Sequence, residues 1–268
     1  MSSVSRYNRV AEYLSLATLC ASGVVLIALQ LKLFGWLLLL AGAFLLLAAS
    51  RDFAKNVLLI YVSTALLGLT PITTNISWSH MLFMGTMLAL AIVIPYLVSR
   101  FVYRNHLVHF RFHHGRRWFQ SEIYWILGTG LVAYVLIPYY LMNSAAYLNW
   151  AVEPGASNVL RLFVGTNSLG IWDELFFVST VLIVLRRFFP FIIANLAQAV
   201  LFTSFLYELG FTGWGPLMIY PFALIQGFVF RKTQSLFYII TIHLTYDLVL
   251  FLALLNAHHP TWVPIFVT

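Results

Sequence analysis

The sequence predicts an all-α polytopic membrane bundle of about nine transmembrane helices, and three observations carry that prediction. Of its 268 residues, 62% are hydrophobic and only 9% charged, where soluble chains carry about 25% charged residues. The mean hydropathy is +0.90, and the apolar residues fall in repeated long runs rather than in the ~10-residue alternating segments of a β-barrel. The charges, finally, fall between those runs in a lopsided way.

A bilayer core about 30 Å thick needs ~20 helical residues, fewer where a helix is sheltered inside a bundle. Reading apolar runs between charges and turn signals places helices at roughly 11–30, 33–50, 56–70, 79–99, 121–142, 160–185, 189–208, 215–230 and 236–256. The first two make a tight hairpin around Lys32, and the third and eighth are short. No leader of the cleaved type is expected, because the first apolar run lacks a short core ending in small residues. With the N-terminus placed in the cytoplasm, Arg6, Arg9, Arg51, Lys55, Arg100, Arg104, Arg111, Arg116, Arg117, Arg186, Arg187, Arg231 and Lys232 all fall inside. Only Lys32 and Arg161 fall outside. That bias is the positive-inside pattern, so the net charge of +7 reads as topogenic and nucleic acid is not expected as a partner. Tandem repeats and linkers of domain-boundary length are absent, so residues 1–268 form one membrane domain.

The segment Arg100–Gln120 collects five arginines and four histidines. It reads as an orientation signal with interfacial character, although polybasic segments also attract anionic lipid. The single cysteine, Cys20, excludes an intrachain disulfide and any cysteine-based metal cluster; packing is its expected role. Trp172, Trp214 and Tyr220 offer rings to shape a lipid-facing groove, but interfacial anchoring is their expected role.

Function is sought among the polar groups that the bilayer makes costly. Glu12, Asp52, Glu122 and Glu153 fall at or near interfaces and Glu208 at the outer end of the seventh helix. Asp173 and Glu174 are central in the sixth helix and Asp247 is inside the ninth. A mid-membrane charge costs at least ~2.5–3.5 kcal/mol, so such residues are functional hypotheses by default. Adjacent Asp173 and Glu174 project ~100° apart. One can face a cavity while the other grips a neighbouring helix, and mutual repulsion suits a proton-sharing pair. His243 and Asp247 are four apart and share a helix face, where they can orient one another, hold a metal or present an N–H to a developing oxyanion. These groups suit either a general base acting on water or a proton relay in a carrier. A carrier lacks support from an inverted repeat.

The pattern resembles the CAAX-processing and bacteriocin-processing (CPBP) membrane protease family, which includes the type II CAAX prenyl endopeptidases. Its motifs are E-E-x-x-x-R, F-x-x-x-H and H-x-x-x-N/D on successive membrane helices. Here the first reads "DELFFV", with Asp173 for the first glutamate, Glu174 matching the second and Val178 for the arginine. The second reads "FTSFL", with Phe202 matching and Leu206 at the histidine position. The last reads "HLTYD", matching through His243 and Asp247. The resemblance covers about residues 160–256, so residues 1–158 read as N-terminal helices and 159–256 as a CPBP-like core. It implies an intramembrane endopeptidase cleaving membrane-associated peptides or proteins, with diverged or lost activity where motif residues are missing. Glu174 or Asp173 would be the base, with His243 and Asp247 as oxyanion or orienting groups. The alternative on the same fold is a non-catalytic membrane scaffold or regulator. One histidine with two or three carboxylates offers ligands for a divalent ion but falls short of the usual zinc set, and no tightly bound metal is expected. Membrane lipids and a membrane-tethered substrate are the expected partners, and a bacterial or archaeal plasma membrane the expected setting.

Overall fold

The computed structural model describes residues 3–112 and 117–266, and all regular structure among them is helical. Among the described residues nine longer helices follow one another, with a short 3₁₀ helix at Ala146–Asn149 between the fifth and the sixth. α1 spans Ser3–Ser22 and continues in wide i→i+5 turns over Gly23–Ala28. α2 (Lys32–Leu45), α3 (Arg51–Leu69), α4 (Trp78–Leu97, with a wide turn over Val98–Val102) and α5 (Gln120–Asn143) come next. α6 begins at Ala156–Asp173, runs through wide turns over Glu174–Leu182 and ends in Ile183–Arg186. α7 (Phe191–Glu208), α8 (Gly215–Thr233) and α9 (Leu236–His258) complete the bundle.

Seven of these helices are long and apolar enough to cross a membrane. α2 with its tight last turn, Lys32–Ala48, is shorter. α8 is not among the seven, because Pro221, Gln226 and the Arg231–Lys232 pair dilute its apolar character. The chain is an integral membrane protein of the polytopic helical class, with two of the nine expected spans falling short by length or composition. The third helix is longer than its apolar run suggested, since Arg51, Asp52 and Lys55 belong to its first turns. They remain helical because Lys55 and Arg187 close on Asp52, at 2.9 and 2.8 Å.

Local chemistry sets the ends. Pro216 sits in the first turn of α8, where its missing N–H costs nothing. Gln234 (φ 51°) ends that helix in the left-handed region, and Ser235 then starts α9 by accepting from the Tyr238 amide. The stretch from Tyr103 to Phe112 before α5 is tied to the bundle by hydrogen bonds. Asn105 bonds Ser99 and Asn56, both at 2.7 Å, and the Arg111 and Phe112 carbonyls accept from Leu236 and Phe237. His113, His114 and Arg116 of the polybasic segment lie outside the described residues.

α6 is the central helix. Of its most apolar window 72% is buried, against 28% for α4 and α5, so α6 faces protein where those two face the membrane. It packs on α9 and α7 and also touches α4 and α8, while α5 lies along α9 and α3 along α4. Trp172 corrects one expectation. It is buried within α6 rather than interfacial, donating to the Leu88 carbonyl at 2.7 Å and packing on Phe176 and Phe205 at 5.0 and 4.8 Å. A large ring with one polar handle suits this site, because the indole N–H finds a partner away from water.

Candidate functional site

Three helices converge at mid-bundle. Asp173 closes the regular part of α6 and Glu174 opens its wide-turn segment. Wide turns of this kind recur at functional sites because they re-aim side chains. Here they leave the Leu175 carbonyl accepting from the Thr180 hydroxyl, five residues on. α9 supplies His243 and Asp247 from one face, and α8 supplies Gln226. All five side chains are buried.

Their geometry divides the two adjacent carboxylates. Glu174 Oε1 accepts from His243 Nδ1 and from Gln226 Nε2, both at 2.8 Å, and Gln226 Nε2 also donates to the Ile239 carbonyl at 3.1 Å. With the imidazole proton on Nδ1, that proton is directed at Glu174 and Nε2 is left as an acceptor. The other ring nitrogen, Nε2, lies 3.8 Å from Asp173 Oδ2 and 3.8 Å from Asp247 Oδ1. That is too long for direct bonds and a spacing that one water molecule can bridge. Asp173 Oδ1, Glu174 Oε2, Gln226 Oε1 and Asp247 Oδ2 have no hydrogen-bond partner within the protein. Buried orphan acceptors are rare in native structures and call for a cause; four in one cluster are an unfilled acceptor set.

Asp173, Gln226, His243 and Asp247 line a cavity of about 820 Å³, and Glu174 does not. The walls are otherwise mainly apolar, with Met84 and Leu88 from α4, Val132 and Leu136 from α5, Leu206 from α7 and Phe222 from α8. The ring of Phe222 meets that of His243 edge-on at 5.2 Å, and Phe202 lies 5.9 Å from it. Apolar rings around the imidazole lower the local dielectric and fix its plane.

Close helix approach makes the cluster possible. A Cβ on Gly170 would overlap Asp247 Oδ2 and come within 3.0 Å of Asp247 Cγ and His243 Cδ2, so only glycine lets α9 bring both groups against α6. Gly227 does the same between α8 and α7, where a Cβ would overlap Asn195 Oδ1.

Of the residues expected from sequence, Asp173, His243 and Asp247 meet at the cavity, and Glu174 stands behind His243. Leu206 also lines the cavity, so an apolar side chain faces the chamber at the second-motif histidine position. Val178, at the arginine position, is fully buried. Glu208 does not line the cavity. Gln226 and Gly170 were missed by sequence reasoning. Among the described residues, no group of three or more His, Cys, Asp or Glu side chains is arranged to hold a metal ion.

Residues 155–249, from just before α6 to the middle of α9 and about a third of the chain, match the family described as "Type II CAAX prenyl endopeptidase Rce1-like". The motif resemblance falls in the same stretch, so this third of the chain is similar to the CAAX prenyl endopeptidases. Comparison with curated proteins and with solved structures returns no match.

Proposed function

We propose that this chain is an intramembrane endopeptidase acting on membrane-associated peptides, with a site rearranged from the family pattern. The observation that carries the reading is the 2.8 Å bond from His243 Nδ1 to Glu174, which turns Nε2 toward the cavity between Asp173 and Asp247.

In this account Glu174 orients the imidazole, held in turn by Gln226. Water seated among His243 Nε2, Asp173 Oδ2 and Asp247 Oδ1 gives a proton to Nε2 while its oxygen adds to the peptide carbonyl carbon. The imidazolium then returns the proton to the amide nitrogen, the C–N bond breaks, and a carboxyl and an amine leave. The two aspartates hold the water and stabilise the transient imidazolium. What favours Asp173 and His243 over Glu174 at the water is access: Glu174 is absent from the cavity wall and its bonded oxygen is already committed to two donors.

The test is cleavage of membrane-tethered peptides by purified protein, comparing wild type with Asp173→Asn and Glu174→Gln. Both variants keep size and hydrogen bonding. Loss of the water-holding carboxylate or of the orienting one is expected to slow cleavage by ~10²–10⁴-fold. Unchanged cleavage in both would reject the assignment. A wild type that cleaves nothing would favour a non-catalytic scaffold, the reading to which Leu206 in the cavity wall lends support.

A further inference from the structure

The cavity has a sidedness that the site alone does not require. Most basic residues sit at one end of the bundle. Arg51 and Lys55 begin α3, Arg100 ends α4, Arg186 and Arg187 end α6, and Arg231 and Lys232 end α8. Every loop residue in the cavity wall comes from the other end: Thr73, Thr74, Asn75 and Ile76 between α3 and α4, Trp150 between α5 and α6, and Leu209 and Phe211 after α7. The connections at the arginine end contribute nothing to the wall. The mouth is polar, with His80 bonded to Thr73 at 3.0 Å and Thr74 to the Asn149 carbonyl at 2.5 Å, whereas the interior is mainly apolar outside the Asp173–Gln226–His243–Asp247 cluster.

The chamber also opens sideways. Val93 on α4 and Trp125 and Val132 on α5 line it and are at the same time 42%, 45% and 53% exposed. They border a slot between α4 and α5 at membrane depth. Arginine-rich ends face the cytoplasm.

We infer that the cavity is loaded from the extracytoplasmic side. The substrate is a polypeptide whose extended chain enters past His80 and Asn75. Depth along α4 fixes the reach. Leu88, bonded to Trp172 beside Asp173, is eight residues beyond His80, or about 12 Å at the helical rise. That is about four residues of extended chain, so the attacked bond lies about four residues inside the mouth. The chemistry of this substrate rests on the proposed proteolysis; the side of entry does not.

The side of entry is tested by chemical modification in a Cys20→Ser background, with single cysteines introduced as Met84→Cys and Gly85→Cys in the cavity wall and Lys232→Cys at the arginine end. Gly85 has open space for a side chain, which guards against a folding failure at Met84. A membrane-impermeant thiol reagent is applied to intact cells and to inside-out vesicles. The expected result is modification at 84 and 85 in intact cells and at 232 only in inside-out vesicles. Modification at 84 and 85 only in inside-out vesicles, modification at neither, or modification at 232 in intact cells would overturn the inference. Since the readout is modification and not cleavage, a wild type without peptidase activity would sink the proposed function and leave this result standing.

Discussion

Gly170→Ala is a one-atom test of how the site is held. The new Cβ would overlap Asp247 Oδ2 and sit 3.0 Å from both Asp247 Cγ and His243 Cδ2, where carbon pairs prefer about 3.5–4.0 Å. Relief of the Oδ2 overlap needs ~1.5 Å of movement to reach ordinary contact, by a parting of α6 and α9 or by a rotation of the Asp247 carboxylate away from Nε2. Overpacking of this kind costs ~1–3 kcal/mol, and replacing glycine by alanine in a helix returns ~1 kcal/mol. The net loss of stability is therefore at most ~2 kcal/mol. Activity is more sensitive, because a displacement of ~1 Å at a reacting centre can cost ~10²-fold in rate. Purified Gly170→Ala should keep a thermal transition in detergent while its cleavage of a membrane-tethered peptide falls by about that factor. A well-folded variant that cleaves like wild type would show that the α6–α9 approach does not set the site.

Gln226→Leu removes the donor shared by Glu174 and the Ile239 carbonyl. Leaving those acceptors unpaired should cost ~1–3 kcal/mol, visible as a lower transition temperature, and cleavage should fall as His243 loses its fixed orienting partner. Gln226→Leu at wild-type stability would reject that network. Leu206→His places an imidazole in the cavity wall at the position where the family motif carries one. Cleavage should rise, and a drop would indicate that this chamber is organised around an apolar side chain there.

The helices were legible because charge and proline interrupt apolar runs at their ends, as at Arg186–Pro190 and at Arg231–Lys232. The same rule shortened α3, whose first turns carry charges that are satisfied across the bundle by Arg187, a partner invisible to local pattern. Within the site, His243 and Asp247 were legible as a pair because four residues is one helical turn. The divergence of Asp173 from Glu174 followed from the angle between neighbours, but which of the two faces the cavity depends on where α8 and α9 pack. Gln226 carried no local signal: a lone glutamine in an apolar helix, it bonds a residue 52 positions earlier. The wide turns of α6 were equally hidden, since hydrophobic periodicity does not report which carbonyl an amide selects. Trp172 was misread because aromatic residues suit both interfaces and cores, and only the Leu88 carbonyl decides between them.

Every proposed step passes through His243. Wild type and His243→Ala, reconstituted in liposomes with a membrane-tethered peptide, should differ completely: one bond cleaved by the wild type, and a loss of ~10²-fold or more in the variant. Equal cleavage by the two proteins would contradict the assignment of His243 as the group that takes the proton from water.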